Sequence, residues 1–164
     1  MYYFAYGSNM ALARIRRRLP SVRRVGPAWL PGYRLLFNVA SSQDGSAKCN
    51  AEPSDNPTSQ VLGVLFQIDP NDKSVLDRYE GVGIEYRDEN VRVRLESGGT
   101  EEALVYLGKA RTDSLLPFDW YKEHVIRGAQ ENGLPDTYVS RIESVATIDD
   151  PDRARAEAEF AIYR

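Results

Sequence analysis

The sequence predicts an α+β fold, in which a curved and mostly antiparallel sheet or barrel carries inserted helices and further helices towards the C-terminus. The first observation is the apolar run Val61–Ile68, which is typical of a buried strand. The second is a hairpin pattern. Residues 90–96 alternate apolar and polar side chains, Ser97-Gly98-Gly99 turns the chain, and residues 103–107 form the returning strand. Strand patterns thus precede most of the helical patterns.

Two more strands are predicted near the N-terminus from aromatic and apolar runs, at residues 2–6 and 33–40. Between them, residues 25–32 contain Pro27 and Pro31, so we expect this segment to be irregular. The polar stretch Ser41–Ser59 is either a mobile loop or two short extended pieces around residues 48–52.

Local start and stop signals predict four helices. They lie at residues 11–19, from 69–72 up to Gly81, at 119–130 and at 136–146. Pro20 ends the first helix and Gly81 closes the second. The tail, residues 149–164, begins charged and ends apolar, so it is either a late strand or a contact with a partner.

The composition excludes several classes of protein. The chain of 164 residues is long enough for one domain over 1–164 with its own core. It has no apolar run of about eighteen residues and no signal-peptide pattern, so we expect no membrane span. One cysteine and one histidine give no disulfide framework and no zinc site, which favours a cytoplasmic protein without a bound metal.

Six arginines between residues 14 and 24 form the one strong basic cluster: Arg14, Arg16, Arg17, Arg18, Arg23 and Arg24. The cluster is either a patch for nucleic acid or a solvated helix face. The net charge of −3 offers no general attraction to nucleic acid, and no aromatic side chains interleave the arginines. We therefore expect a solvated face and no nucleic-acid partner.

The turn Gly7-Ser8-Asn9 joins the first strand to the first helix. Such a turn presents free backbone N–H groups and the positive end of a helix dipole, which together suit a carboxylate or a phosphate. The alternative is ordinary capping, because Ser8 and Asn9 are both good N-cap residues.

Glu80 is the acid that stands out, because it lies where the second helix gives way to Gly81-Val82-Gly83. The negative end of the helix dipole and apolar neighbours would raise its pKa towards the range of a general base. The alternative is a solvated glutamate. No base is indicated beside Cys49, and His124 is expected to be packed or at the surface and not catalytic.

Three blocks in this order resemble the gamma-glutamylcyclotransferase family. They are Tyr3-Phe-Ala-Tyr-Gly-Ser-Asn-Met10, Leu76-Asp-Arg-Tyr-Glu-Gly-Val82 and the helical segment Tyr121–Pro135 with its Gly-Ala-x-Glu-Asn-Gly-Leu-Pro run. The resemblance reaches from the N-terminus to about residue 145 and leaves the tail from about residue 149 outside.

The resemblance implies a small mixed barrel with a cavity that binds a small-molecule gamma-glutamyl amide. The substrate's α-amine attacks its own γ-carbonyl, which forms 5-oxoproline and releases an amine or an amino acid. Because the ring closure is intramolecular, orientation supplies much of the rate and no cofactor is expected.

The resemblance also assigns roles to residues. Glu80 would be the general acid/base, and its carboxylate should face the same cavity as the turn at Gly7–Asn9. The substrate would be bound by Tyr6, Gly7, Ser8, Asn9, Met10, Ala11, Tyr86 and Tyr121.

Several alternatives stay open at this point. The leaving group is an amino acid, an amine on a lysine side chain or part of a protected intermediate, and residues 41–59 are expected to shape its pocket. The turn at Gly7–Asn9 binds either the α-carboxylate or the oxyanion. A homodimer is left open. The competing function is a small-molecule binding protein on the same fold without turnover.

Overall fold

The computed structural model describes residues 1–164, and seven strands form most of its framework. They are β1 (Tyr2–Ala5), β2 (Arg23–Pro31), β3 (Tyr33–Ala40), β4 (Ala47–Pro53), β5 (Gln60–Gln67), β6 (Tyr86–Leu95) and β7 (Thr100–Gly108). Five of them close into a barrel in the order β1-β5-β2-β6-β7, and β3 and β4 form a separate two-stranded sheet.

The barrel is mixed, as expected. Strand β1 pairs antiparallel with β5 and meets β7 in parallel, where Tyr3 lies opposite Leu104. The other barrel pairs, β2 with β5, β2 with β6 and β6 with β7, are antiparallel. The predicted hairpin is β6–β7, in which β6 begins four residues earlier than the alternating pattern indicated and β7 is longer at both ends.

Strand β5 lies between β1 and β2 in the barrel wall, and its six central residues are all buried. Gly63 on this strand allows β1 to approach, because a Cβ atom here would lie 2.3 Å from the Ala5 carbonyl oxygen and 2.8 Å from the Phe4 ring. No side chain fits in that space. The close pairing fixes β1, and with it the turn that follows, against the barrel wall.

The polar stretch 41–59 contains a full strand, β4, flanked by turns. Its residues Ala47, Cys49, Asn50 and Ala51 are buried. The side chain of Asn50 accepts a hydrogen bond from the Gly108 N–H at 2.8 Å, which ties the two-stranded sheet to the barrel. Of the two sequence interpretations, the structure supports the extended one, as a single strand.

Five α-helices complete the fold: α1 (Leu12–Arg18), α2 (Lys73–Tyr79), α3 (Asp119–Glu131), α4 (Asp136–Glu143) and α5 (Arg153–Phe160). The first two are each preceded by a short 3₁₀ helix, at Ser8–Met10 and Pro70–Asp72. Gly81 (φ +57°) follows α2 as predicted. No helix has the length and apolar character needed to cross a membrane.

The expectation that residues 25–32 are irregular is wrong, because all of them except Gly32, which turns the chain into β3, belong to β2. This strand pairs with β5 along most of its length but with β6 only at Ala28 and Trp29. One side of β2 is therefore largely an edge, where proline is tolerated. The register shifts between Arg24 and Gly26, which absorbs the remaining irregularity.

The tail is helical, so its interpretation as a late strand is wrong. It forms α5 and a 3₁₀ turn, Ala161–Tyr163. Asp150 holds the segment: its carboxylate accepts hydrogen bonds from Trp120 Nε1 at 2.8 Å and from two nitrogens of Arg155. These contacts lower the pKa of Asp150 to about 2, with Arg155 as the main cause. The apolar end of the tail packs on its own chain.

Candidate active site

The turn after β1 is a 3₁₀ helix and not a simple cap. Neither Ser8 nor Asn9 caps α1 through its side chain, so the alternative of ordinary capping is wrong. Instead, the Leu12 N–H at the start of α1 donates to the Glu131 carboxylate at 2.5 Å. The backbone N–H groups of Gly7, Ser8 and Asn9 donate no hydrogen bond within the protein. Three consecutive donors are thus free for a ligand.

Helix α3 supports this turn from below. Gly128 lets the two segments touch, because a Cβ atom there would lie 2.5 Å from Met10 Cβ and 2.6 Å from the Ala11 nitrogen. Asn132 donates to the Met10 carbonyl at 3.1 Å and to the Gly128 carbonyl at 2.7 Å. The segment Tyr121–Pro135 therefore supports the turn that ends the segment Tyr3–Met10.

Glu80 lies directly after α2, with its carboxylate turned towards the 3₁₀ turn. Its Oε1 accepts a hydrogen bond from Asn9 Nδ2 at 2.9 Å and one from an Arg18 nitrogen at 3.2 Å. The other oxygen, Oε2, accepts none from the protein. One oxygen is thus used to orient the carboxylate, and the second is free to exchange a proton.

Burial raises the pKa of Glu80 above its ordinary value, and the nearby cations of Arg18 and Arg14 and the Asn9 hydrogen bond oppose that rise. Only 16% of the side chain is exposed, so the solvated alternative is wrong. The main cause of the raised pKa is removal of the carboxylate from water and not the helix dipole. A raised pKa suits a group that takes and returns a proton near neutral pH.

Arg18 is a site residue that the sequence analysis missed. The expected solvated face is found for the exposed Arg16, Arg17, Arg23 and Arg24, but only 14% of the Arg18 side chain and 13% of the Arg14 side chain are exposed. Arg18 also donates to Asn9 Oδ1 at 2.9 Å and stacks on the Tyr79 ring. The sequence feature that could have indicated this burial is the i,i+4 spacing of Arg14 and Arg18. It places both residues on one face of α1, beside buried Ile15.

Replacing Arg18 with methionine is expected to move the acidic limb of the pH–activity profile upwards. A general base acts in its ionised form, so if Glu80 has this role, activity would be lost as the pH falls through the pKa of this group. Removing the adjacent cation raises that pKa further, by about one pH unit or more. The measurement is kcat/KM against pH, with exposed Arg17→Met as control. An acidic limb at the wild-type pH would contradict this role of Arg18.

An aromatic cavity lies between the turn and Glu80, with a volume of about 30 Å³. It is lined by Tyr3, Phe4, Tyr6, Gly7, Ser8, Asn9, Cys49, Glu80, Tyr86, Tyr106 and Tyr121. We call it the inner cavity. Two tyrosines hold its floor by the backbone of Cys49: Tyr86 donates to the Cys49 carbonyl at 2.7 Å, and Tyr121 accepts from the Cys49 N–H at 2.9 Å.

The structure brings most of the candidate residues together. Tyr6, Gly7, Ser8, Asn9, Glu80, Tyr86 and Tyr121 all line the inner cavity. The expectation that Glu80 and the turn face one cavity is thus confirmed. Met10 and Ala11 do not line it, since both are fully buried against α3. Tyr3, whose hydroxyl accepts from Asn9 Nδ2 at 2.9 Å, was missed by the sequence analysis.

The side chains of Cys49 and His124 are both buried, and neither is in a form suited to catalysis. Burial raises the pKa of the Cys49 thiol to about 12, so it is not a thiolate at neutral pH. His124 is fully buried between α1, α3 and the tail, and its ring contacts Tyr163 and Glu159. Burial lowers its pKa, which favours the neutral imidazole. Of the two surroundings expected for His124, packed or at the surface, the structure shows the packed one.

A second, larger space adjoins the first. This outer pocket has a volume of about 280 Å³ and shares Ser8, Glu80, Tyr86 and Tyr121 with the inner cavity. Its remaining wall is mainly polar and charged, with contributions from α1, β4 and the tail. No three histidine, cysteine, aspartate or glutamate side chains cluster to hold a metal ion. The site is thus a narrow inner cavity opening into a charged pocket, with Glu80 at the junction.

Comparisons with known proteins agree with this geometry. The AIG2-like family model matches residues 60–142. Gamma-glutamylcyclotransferases from Bos taurus and Homo sapiens are each 30% identical over 99% of this chain and 87% of theirs. A solved gamma-glutamyl cyclotransferase superposes with a TM-score of 0.88 at 28% identity, covering 99% of this chain and 98% of the other. The chain therefore belongs to the AIG2-like, gamma-glutamylcyclotransferase family.

Proposed function

We propose that the chain is a gamma-glutamylcyclotransferase in which Glu80 transfers the protons. The substrate is a gamma-glutamyl amide, and its α-amine forms a new C–N bond to its own γ-carbonyl carbon. The original amide C–N bond breaks, so the products are 5-oxoproline and a free amine or amino acid. No water is consumed and no electrons are transferred.

The observation that carries this proposal is that the two carboxylate oxygens of Glu80 have different surroundings. Oε1 is held by Asn9 and Arg18, and Oε2 is free at the junction of the two spaces. Glu80 accepts a proton as the α-ammonium becomes the attacking amine, and it returns that proton to the leaving nitrogen. The second proton that the attacking nitrogen loses on ring closure also passes to the leaving nitrogen, which departs as an ammonium. A group of raised pKa performs both steps near neutral pH.

The three free N–H groups of the turn supply the complementary charge stabilisation. The donors of Gly7, Ser8 and Asn9 bind a negative oxygen of the substrate, either on its α-carboxylate or on the γ-oxygen of the transition state. Tyr6, Tyr86 and Tyr121 form the walls that fold the glutamyl unit into its reactive conformation. Met10 and Ala11 act by shaping the turn, since their side chains pack away from the cavity.

The inner cavity is too narrow for a whole substrate, whereas small-molecule sites usually enclose about 300 Å³ or more. The glutamyl unit therefore lies across the junction at Glu80, and the leaving group extends into the outer pocket of about 280 Å³. We place the enzyme in the cytoplasm, because its one cysteine is a free thiol.

The test is to incubate the protein with a panel of gamma-glutamyl amino acids and gamma-glutamyl amines. Mass spectrometry should detect 5-oxoproline and the released amine in equal amounts. Saturable binding of a panel member without either product would contradict the proposal and indicate a binding protein instead.

A further inference from the structure

A further groove, larger than either space of the active site, lies between β3 and α4. It has a volume of about 710 Å³, within the usual range for binding clefts. Strand β3 lines one side with Tyr33–Phe37, and α4 lines the other with Tyr138, Arg141 and Ile142. We call it the α4 groove. It shares no lining residue with the inner cavity or the outer pocket, so it is a separate feature of the molecule.

The groove runs along the main-chain edge of β3. Five consecutive residues of this strand, Tyr33–Phe37, line it. Successive side chains of a strand point to opposite faces, so a groove that touches all five must follow the edge between the two faces. Over these residues β3 pairs only with β4, and no strand lies on its other side. The groove therefore contains an unpaired strand edge.

The hydrogen bonds of Cys49 show which main-chain groups of β3 face this edge. Cys49 lies on β4 opposite Phe37. Its N–H donates to the Tyr121 hydroxyl at 2.9 Å, and its carbonyl accepts from the Tyr86 hydroxyl at 2.7 Å. Since both groups of Cys49 point away from β3, Phe37 and Cys49 form a pair without mutual hydrogen bonds. The N–H and C=O of Phe37 therefore point away from β4 as well.

The same orientation recurs at every second residue of β3. In an antiparallel ladder, pairs without mutual hydrogen bonds alternate with bonded pairs, so Leu35 and Tyr33 are oriented like Phe37. Tyr33 agrees with this, because its partner on β4 is Pro53, which has no N–H to donate. Beyond the ladder with β4, none of these three residues forms a main-chain hydrogen bond within the protein. Such an edge is a template for an additional strand.

Helix α4 provides a fixed and partly apolar wall opposite the edge. Tyr138 and Ile142 lie one turn apart on the helix, and both line the groove. The Tyr138 hydroxyl donates to the Leu62 carbonyl at 3.1 Å and accepts from the Leu62 N–H at 3.2 Å, which holds the helix against β5. A groove between a free strand edge and an apolar wall suits an extended peptide, whose main chain pairs with the edge while alternate side chains contact the walls.

The charge of the groove indicates the kind of peptide. Its lining includes Arg34 and Arg141 and no acidic residue, although the whole chain has a net charge of −3. Arg141 is exposed and belongs to no ion pair of the protein. Arg34 is 59% exposed and reaches Glu52 only at 3.3 Å. Two copies joined edge to edge along β3 would bring these arginines together, so the charge disfavours a second copy as the occupant.

We infer that the α4 groove binds an extended segment of a partner protein, which adds to β3 as a strand and carries an aspartate or glutamate beside apolar residues. The main chain of the segment pairs with Tyr33, Leu35 and Phe37, and its carboxylate faces Arg141 or Arg34. About five residues of the segment lie along Tyr33–Phe37, which span about 14 Å at about 3.4 Å per residue. This binding does not depend on the proposed reaction, since the groove and the active site have no lining residue in common.

The experiment uses a phage-displayed library of random ten-residue peptides, selected on the full-length protein. Enriched sequences are expected to place at least one aspartate or glutamate beside apolar residues. With a synthetic enriched peptide, Arg141→Glu should raise the Kd by about tenfold or more, because a like charge then faces the carboxylate of the peptide. Arg153→Glu makes the same change at an exposed position of α5 outside the groove and should keep the wild-type Kd.

Methylation of peptide nitrogens distinguishes an added strand from binding by side chains alone. Two isomers of the enriched peptide are prepared, one methylated at the odd-numbered nitrogens of the binding segment and one at the even-numbered nitrogens. Only every second N–H of an added strand points to β3. One isomer should therefore lose about tenfold or more in affinity, and the other should stay within about threefold of the unmethylated peptide.

Several results would overturn the inference. They are a library that yields no acidic sequence, an unchanged Kd in Arg141→Glu, and equal affinity of the two methylated isomers. A dimer in sedimentation that Arg141→Glu dissociates would place a second copy in the groove and would overturn it too. Arg141→Glu should form 5-oxoproline at the wild-type rate, because Arg141 lines neither space of the active site. Failure of the docking site and failure of the proposed reaction are therefore detected separately.

Discussion

Replacing Glu80 with glutamine is expected to lower kcat for 5-oxoproline formation by about 10³-fold, within the range that general acid–base groups contribute. Glutamine has nearly the same shape, and its side-chain oxygen still accepts hydrogen bonds from Asn9 and Arg18 in the positions found for Oε1. It cannot accept the proton of the α-ammonium. The variant should therefore bind a gamma-glutamyl amide and fail to convert it.

The readout is the initial rate of 5-oxoproline release, with substrate binding followed separately by calorimetry. Glu157→Gln is the matched control, because it makes the same chemical change on an exposed face of α5. Wild-type turnover in Glu80→Gln would disprove the proposed proton transfer. Unfolding temperature should be compared in parallel, so that lost activity is not confused with lost structure.

Replacing Gly128 with alanine is expected to destabilise the protein by about 1–3 kcal/mol and to reduce activity with it. The new methyl group would lie 2.5 Å from Met10 Cβ and 2.6 Å from the Ala11 nitrogen, and the backbone cannot yield there as a flexible side chain does. Since alanine favours helix by about 1 kcal/mol over glycine, a loss of stability would show that packing outweighs propensity.

The measurements are the free energy of unfolding in urea and kcat/KM for one gamma-glutamyl amide. Moving the turn separates Asn9 from Glu80, so activity should fall even where the variant remains folded. Gly99→Ala is the control, because its nearest contact would be Leu95 Cδ1 at an ordinary 3.9 Å. Equal or higher stability of Gly128→Ala with full activity would contradict the support assigned to α3.

Much of the fold follows from local sequence signals. Three signals predict strands correctly: the apolar run of β5, the alternating residues of β6 and the glycine turn before β7. They are reliable because a strand that buries a definite face leaves a clear apolar pattern in the sequence. Glu80 could also be singled out from the sequence, because it is an acidic residue at the C-terminal end of a predicted helix, directly before a glycine-containing segment. The sequence could show that this residue is unusual, whereas its partners come from a distant element.

The missed features depend on long-range contacts. Prolines argue against a central strand, but β2 pairs with β6 at only two positions and so has room for them. The arginines of α1 look like a solvated face, and Arg16 and Arg17 are exposed, but Arg18 and Arg14 meet the partly buried Glu80 and Glu159, which lie 62 and 145 residues away. Similarly, Ser8 and Asn9 suit caps, but Glu131 takes the position at the start of α1.

The barrel topology has a consequence for the order in which the enzyme is made. Strand β1 leaves the ribosome before β5 and β7, the two strands that hold it on either side. The turn at Gly7–Asn9 is synthesised before Glu80, its hydrogen-bond partner through Asn9. Gly128, which packs against the turn, is synthesised later still. Contacts this far apart in sequence are slow to form. A nascent chain should therefore have no activity until synthesis has passed α3, and activity should be the last native property to return when the protein refolds.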